Sequence, residues 1–105
     1  YVTRSDMWSY EEATDTWTQI NQLGAVPAAR LHATLVAADD NTLLLYGGFN
    51  VFASTSSVTQ AAYGDVNVFF VDNNTWYAVT PSTSTVPSAR GAQAATFLNN
   101  AMYVY

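Results

Sequence analysis

Cysteine and lysine are absent from this 105-residue chain, histidine occurs once, and only 10% of the residues are charged. Each scarcity removes a class of function. Without cysteine there is no disulfide, no thiolate zinc site and no thiol nucleophile. Three arginines, Arg4, Arg30 and Arg90, stand against eight acids for a net charge of −5. Nucleic-acid binding relies on many Lys and Arg neutralising phosphates, so no nucleic-acid partner is expected. A membrane-spanning helix needs about 18–20 consecutive apolar residues, and the run at 43–46 is far shorter. The chain begins at Tyr1 rather than methionine, has no charged-then-apolar leader, and is expected to be part of a longer polypeptide.

Apolar and aromatic residues are plentiful, at 50% and 14%. That is too much for a disordered tail and enough for one small folded domain. Self-comparison shows how it is organised. Asp6 to Trp17 lies over Asp65 to Trp76 with the same spacing, an offset of 59. Val26-Pro-Ala-Ala-Arg30 lies over Val86-Pro-Ser-Ala-Arg90 at 60, and Leu43-Leu-Leu-Tyr46 over Met102-Tyr-Val-Tyr105 at 59. Three anchors in one order with single-residue slippage make this an internal repeat.

Within a repeat the pattern is strand-like. Val66, Val68 and Phe70 alternate with Asn67, Phe69 and Val71, a period of two built from β-branched and aromatic residues. Asp72-Asn73-Asn74 then supplies turn chemistry. No apolar stripe of helical period is long enough for a helix. Four strands per repeat are expected: 30–37 (copied at 90–97), 42–46 (copied at 101–105), 65–71 (preceded by 6–10) and 75–79 (preceded by 16–20). Residues 49–64 are left as a sixteen-residue connection without charge and without obvious structure, a length that favours function. The first strands are rich in Ala and Gly, whereas the fourth strands carry Trp17 and Trp76. Small residues near an axis and large rings near a rim suit a wedge, and four antiparallel strands repeated radially make a propeller blade.

The residues resemble the kelch repeat: Pro27-x-x-Arg30 and Pro87-x-x-Arg90 leading into first strands, Gly47-Gly48 after the second, and Asp65 through Trp76 across the third and fourth. The resemblance spans essentially the whole chain and implies an all-β, kelch-type β-propeller fragment. It would comprise one complete blade at 27–79, the outer strands of another at 1–20 and the inner strands of a third at 87–105. The period of about 60 exceeds the roughly 50 usual for kelch. A propeller needs about four to eight blades, so the rest of the ring must come from elsewhere.

The resemblance implies a non-catalytic protein-interaction or scaffold module that binds protein partners through blade loops, or glycans if extracellular. It also admits two other readings: the scaffold of a galactose-oxidase-like copper enzyme whose site lies outside this segment, and a structural subunit of a large assembly or filament. In kelch propellers the loop after the second strand lies on the face where partners commonly bind, which makes Phe49, Phe52 and Tyr63 candidate anchors. Arg30 and Arg90 divide between structural hydrogen bonding and contact on the binding face or central channel. His32, on the first strand, lacks the partners of a catalytic triad or a metal site, and a packed, hydrogen-bonded role is expected. Asp39-Asp40 and Glu11-Glu12 are expected in solvated turns. Asn73-Asn74-Thr75 is an N-glycosylation triplet. No catalytic, cofactor-binding or metal-ligating residue is assigned.

Overall fold

A computed structural model describes residues 3–53 and 58–105 of the chain. Every regular element among them is a strand: β1 (Trp8–Glu11), β2 (Thr16–Gln19), β3 (Leu23–Gly24), β4 (Thr34–Ala37), β5 (Thr42–Tyr46), β6 (Phe49–Ala53), β7 (Val58–Ala62), β8 (Val66–Phe70), β9 (Thr75–Val79), β10 (Ala95–Leu98) and β11 (Ala101–Val104). The central sheet has the order β3-β9-β8-β5-β4, flanked by three hairpins, β1-β2, β6-β7 and β10-β11. Strands β4, β5, β8 and β9 form the expected antiparallel meander. The two-residue β3 was not anticipated; it lies parallel to β9 on the outer edge, Leu23 beside Thr75 and Gly24 beside Trp76.

The core follows from the alternation in β8. Asn67 and Phe69 are buried on one face, and the flanking Val66, Val68 and Phe70 are half-buried. Phe69 sits directly across from Trp76, their ring centroids 5.0 Å apart and tilted by 49°, and Tyr46 completes the buried hydrophobic set. Tilted aromatic pairs at this distance add favourable contact beyond area burial. Trp17, expected to fill the rim in the same way, is exposed. The turns repeat in backbone detail: Asp15 and Asn74, 59 residues apart, close their hairpins at φ 54° and 56°. Asp and Asn tolerate this left-handed region better than most residues. The β10-β11 turn is tighter, with Asn99 and Asn100 both left-handed (φ 51° and 60°), the two-residue connection that matches strand twist.

Two expectations are corrected. The first strands begin at Thr34 and Ala95, not at residues 30 and 90. His32 and Ala92 take φ of 56° and 59°, which no strand accommodates, so the four residues before each strand form isolated bridges or none. Residues 49–64 are not an unstructured connection: their flanks pair as the β6-β7 hairpin, Phe49 opposite Ala62 through Ala53 opposite Val58. Val51, Val58 and Thr59 supply the β-branched propensity, and the Ser/Thr-rich centre at 54–57 lies outside the described residues.

The Gly47-Gly48 doublet makes the exit to that hairpin possible. Both glycines are left-handed (φ 67° and 101°). A Cβ on Gly47 would stand 2.5 Å from the Arg90 carbonyl oxygen, a backbone atom that cannot yield. Gly47→Ala is therefore expected to lower the unfolding free energy by about 2 kcal/mol or more, seen as a fall in the urea midpoint with an unchanged slope.

Candidate functional site

The chain's polar side chains converge where the Pro-x-x-Arg segment meets the glycine doublet. Arg30 precedes the left-handed His32 and reaches the end of the sheet where Gly47 follows β5 and Asp65 precedes β8. Its side chain is only 7% exposed, so its donors must be met by the fold. Nη1 and Nη2 donate to the two carboxylate oxygens of Asp65 at 2.7 and 3.0 Å, Nη1 also donates to the Gly47 carbonyl at 3.0 Å, and Nε donates to the Ala28 carbonyl at 3.1 Å. The guanidinium carbon lies 4.1 Å from the centre of the Tyr63 ring, a cation–π contact. Asn67 completes the cluster, donating from Nδ2 to Asp65 at 2.7 Å.

This pair is the one ion pair found among the described residues. Burial alone would raise the Asp65 carboxyl, but the hydrogen bonds from Arg30 and Asn67 and the Arg30 charge outweigh it and hold the group below its usual range. Arg30 therefore has little capacity left for a ligand. Its repeat counterpart Arg90 is held differently: Nε donates to the Ser88 carbonyl and Nη2 to Ser88 Oγ, both at 3.0 Å. Its main chain ties two repeats together, accepting from Gly48 N–H at 2.8 Å and donating to the Tyr63 carbonyl at 3.0 Å.

The three candidate aromatics are placed unequally. Phe49 and Tyr63 are half-buried rather than free, because both brace the stem of the β6-β7 hairpin. Phe49 exchanges backbone hydrogen bonds with Leu31, lies edge-on to the His32 ring at 6.5 Å, and fills the space beside Gly91 where a Cβ would come within 2.4 Å of it. Tyr63 roofs Arg30 and donates from its main-chain N–H to the Gly48 carbonyl at 2.8 Å. Phe52 is in the β6 ladder by its backbone, and its side chain lies outside the described residues. His32 is exposed beside Phe49, and Asn73 is exposed in the turn before β9.

Between the first hairpin and the central sheet lies a cavity of about 310 Å³, lined on its polar side by Arg4, Asp6, Gln22 and His32. Gln22 closes one wall: its Oε1 accepts from Trp76 Nε1 and its Nε2 donates to the Ser5 carbonyl, each at 2.7 Å. Neither Gln22 nor Asp65 was identified from sequence as a structural partner. The recurrence of Asp6 and Asp65 alongside Arg30 and Arg90 was the available signal for the acid–arginine pair; for Gln22 no pattern existed. Among the described residues no cluster of three or more His, Cys, Asp or Glu is placed to hold a metal ion. Comparison with known families finds that the model described as the KLHDC2/KLHL20/DRC7 Kelch-repeats domain matches residues 2–105.

Because the folded-state carboxyl of Asp65 titrates below its unfolded value of about 3.9, its contribution is present above that value and is lost as pH falls through the folded one. Asp65 keeps 41% of its side chain exposed, so solvent screening limits the loss in Asp65→Asn to about 1–2 kcal/mol at neutral pH. The gap between parent and variant is expected to stay constant at neutral and mildly acidic pH and to narrow as pH falls below about 3.9, measured by thermal unfolding.

Proposed function

The chain belongs to the Kelch-repeat family, and from that premise we propose that it is a non-catalytic protein-interaction or scaffold module whose contact surface is the β6-β7 hairpin. Kelch-repeat domains are generally protein-interaction modules. The observation that carries the assignment to this hairpin is its mounting. A segment with no charged residue from 49 to 62 stands on a stem fixed by Phe49 against Gly91 and by Tyr63 over Arg30. A rigid base reduces the ordering cost of binding, and an uncharged tip with an aromatic residue has the composition of an interface centre. Phe49 and Tyr63 then serve as the mount, and Phe52 is the proposed anchor. Arg30 supports the base of the same hairpin rather than meeting a partner directly.

A glycan is compatible with this arrangement. The hairpin leaves the sheet at the Tyr46–Val66 end, whereas Asn73 follows the Phe70–Thr75 end, by strand register. We propose Asn73 as the acceptor if the protein passes through the secretory pathway, with the sugar clear of the hairpin.

A photoreactive residue at position 52 is expected to crosslink to a protein partner in extract of the source cells, whereas one at position 73 is not. Phe52→Ala should cut capture about tenfold with an unchanged melting temperature. Equal capture by parent and variant, or crosslinking only from position 73, would move the contact surface away from the hairpin.

A further inference from the structure

The two links that carry the chain from one repeat to the next, residues 20–29 and 80–89, are built from different chemistry. Aligned on Val26-Pro27 and Val86-Pro87, the first contains no Ser or Thr. The second contains six, four of them consecutive at 82–85 between Pro81 and Pro87.

The first link is laid into the sheet. Leu23 N–H donates to the Asn74 carbonyl at 2.8 Å and Ala25 N–H to the Trp76 carbonyl at 3.0 Å, while the Gln22 side chain accepts from Trp76 Nε1. Gly24 permits the approach: a Cβ there would stand 2.5 Å from the Trp76 carbonyl oxygen. In the second link Ser84 takes the place of Gly24, and Ser82 that of Gln22. With a Cβ at 84 and no long amide at 82, this link cannot be seated in the same way, whichever strand lies beside it.

Its structure is that of a free arch. Residues 80–89 are exposed and none belongs to a strand. Among the described residues no main-chain N–H from 82 to 88 donates to a main-chain carbonyl. Pro81 and Pro87 fix φ and remove two donors, and Val86, preceding a proline, is biased to extended backbone. Of the side chains at 82–85 only Thr83 makes a hydrogen bond among the described residues, to the Thr85 carbonyl at 3.3 Å. Ser88 is different, because its Oγ and its carbonyl both accept from Arg90. Between Asp72 and Arg90 no residue is charged. A kinase that reads flanking charge therefore finds nothing to grip, whereas dense hydroxyls bounded by proline have the composition of O-glycosylated segments.

We propose that Ser82–Thr85 is an O-glycosylation site. The acceptor hydroxyl oxygen bonds to the anomeric carbon of a phosphate-activated sugar. The bond from that carbon to the phosphate oxygen breaks, its electron pair leaves with the phosphate, and the hydroxyl proton passes to a base of the transferase. The exposed, extended run gives such an enzyme several residues to enclose without unfolding the sheet. Position adds a consequence. The arch starts after Val79, which pairs with Val66, and ends at Ala89, which packs on Gly64. Both points lie at the Tyr46–Val66 end of the sheet, where the β6-β7 hairpin departs, so this sugar stands beside the hairpin rather than at the Asn73 end.

The test is site-resolved mass spectrometry of the full polypeptide purified from its source cells, by electron-driven fragmentation of the tryptic peptide that ends at Arg90. A hexose or hexosamine on one or more of Ser82, Thr83, Ser84 and Thr85 is the expected result. A single hexosamine assigns a nucleocytoplasmic transferase, and an extended chain a secretory one; either supports the site. Replacing all four by Ala should abolish the mass increment and leave the melting temperature unchanged, since these hydroxyls hold nothing in the fold. Unmodified side chains at all four positions, phosphate in place of sugar, or an increment that survives the fourfold replacement overturns the proposal. Capture of a partner by the hairpin can persist or fail independently of this result.

Discussion

Burying a guanidinium obliges the surrounding chain to supply acceptors in fixed places, and in this protein that obligation organises the centre of the molecule. Arg30 reaches from the segment before β4 to the glycine doublet after β5 and to the residue before β8. Three pieces of chain distant in sequence are thereby set at one end of the sheet, where the β6-β7 hairpin departs. Leaving the guanidinium without its acceptors at this depth is destabilising, so the register of these segments is tied to the ion pair. The pair is stacked under Tyr63 and braced by Asn67, which leaves its geometry little room to drift. Its role is positional: it fixes where the hairpin begins and how its stem is aimed.

Much of the architecture was legible because it rests on side chains that leave periodic traces. The Asp-to-Trp spacing, the alternation through 66–71 and the Pro-x-x-Arg anchors located β1, β2, β5, β8, β9 and β11 to within about two residues, as is usual for strand boundaries. What escaped depends on backbone angles or on contacts without a period. Nothing in Ala-Arg-Leu-His announces a left-handed residue at 32, since even histidine, enriched there, takes that region only in a small minority of cases, and the strand starts later than its composition suggests. The β6-β7 hairpin was missed because no Asn-Gly or Asp-Gly pair marks its turn. Strand β3 is two residues long and held by neighbours, not by its own composition. The aromatic residues around 49–63 stand out by type, but sequence alone does not distinguish Phe49 and Tyr63, which brace the stem, from the others.

Tertiary context also explains why identical local structures differ in burial. The Tyr10–Trp17 and Phe69–Trp76 pairs have nearly the same geometry, so the cross-strand pairing and the turn before each Trp suffice to build them. Only the second pair is covered, because β5 and β3 flank β8 and β9. Local sequence thus makes the aromatic clamp, and the neighbouring strands make it a core.

The seams between repeats are sewn largely by main-chain atoms. Arg90 is held through its N–H and carbonyl by Tyr63 and Gly48, and Ala92 N–H donates to the His32 carbonyl at 2.9 Å; Arg4 bridges Arg30 in the position that Tyr63 takes beside Arg90. The hydrogen bonds of such joints need no particular side chain, provided glycine is kept where the backbones approach most closely, as at Gly47 and Gly91. After a duplication, each copy could therefore change its residues without losing its place beside the last. Ala33 could become Gln93 and His32 could become Ala92 in the same backbone setting, so a repeat of this type is free to diverge in chemistry while its joints remain inherited.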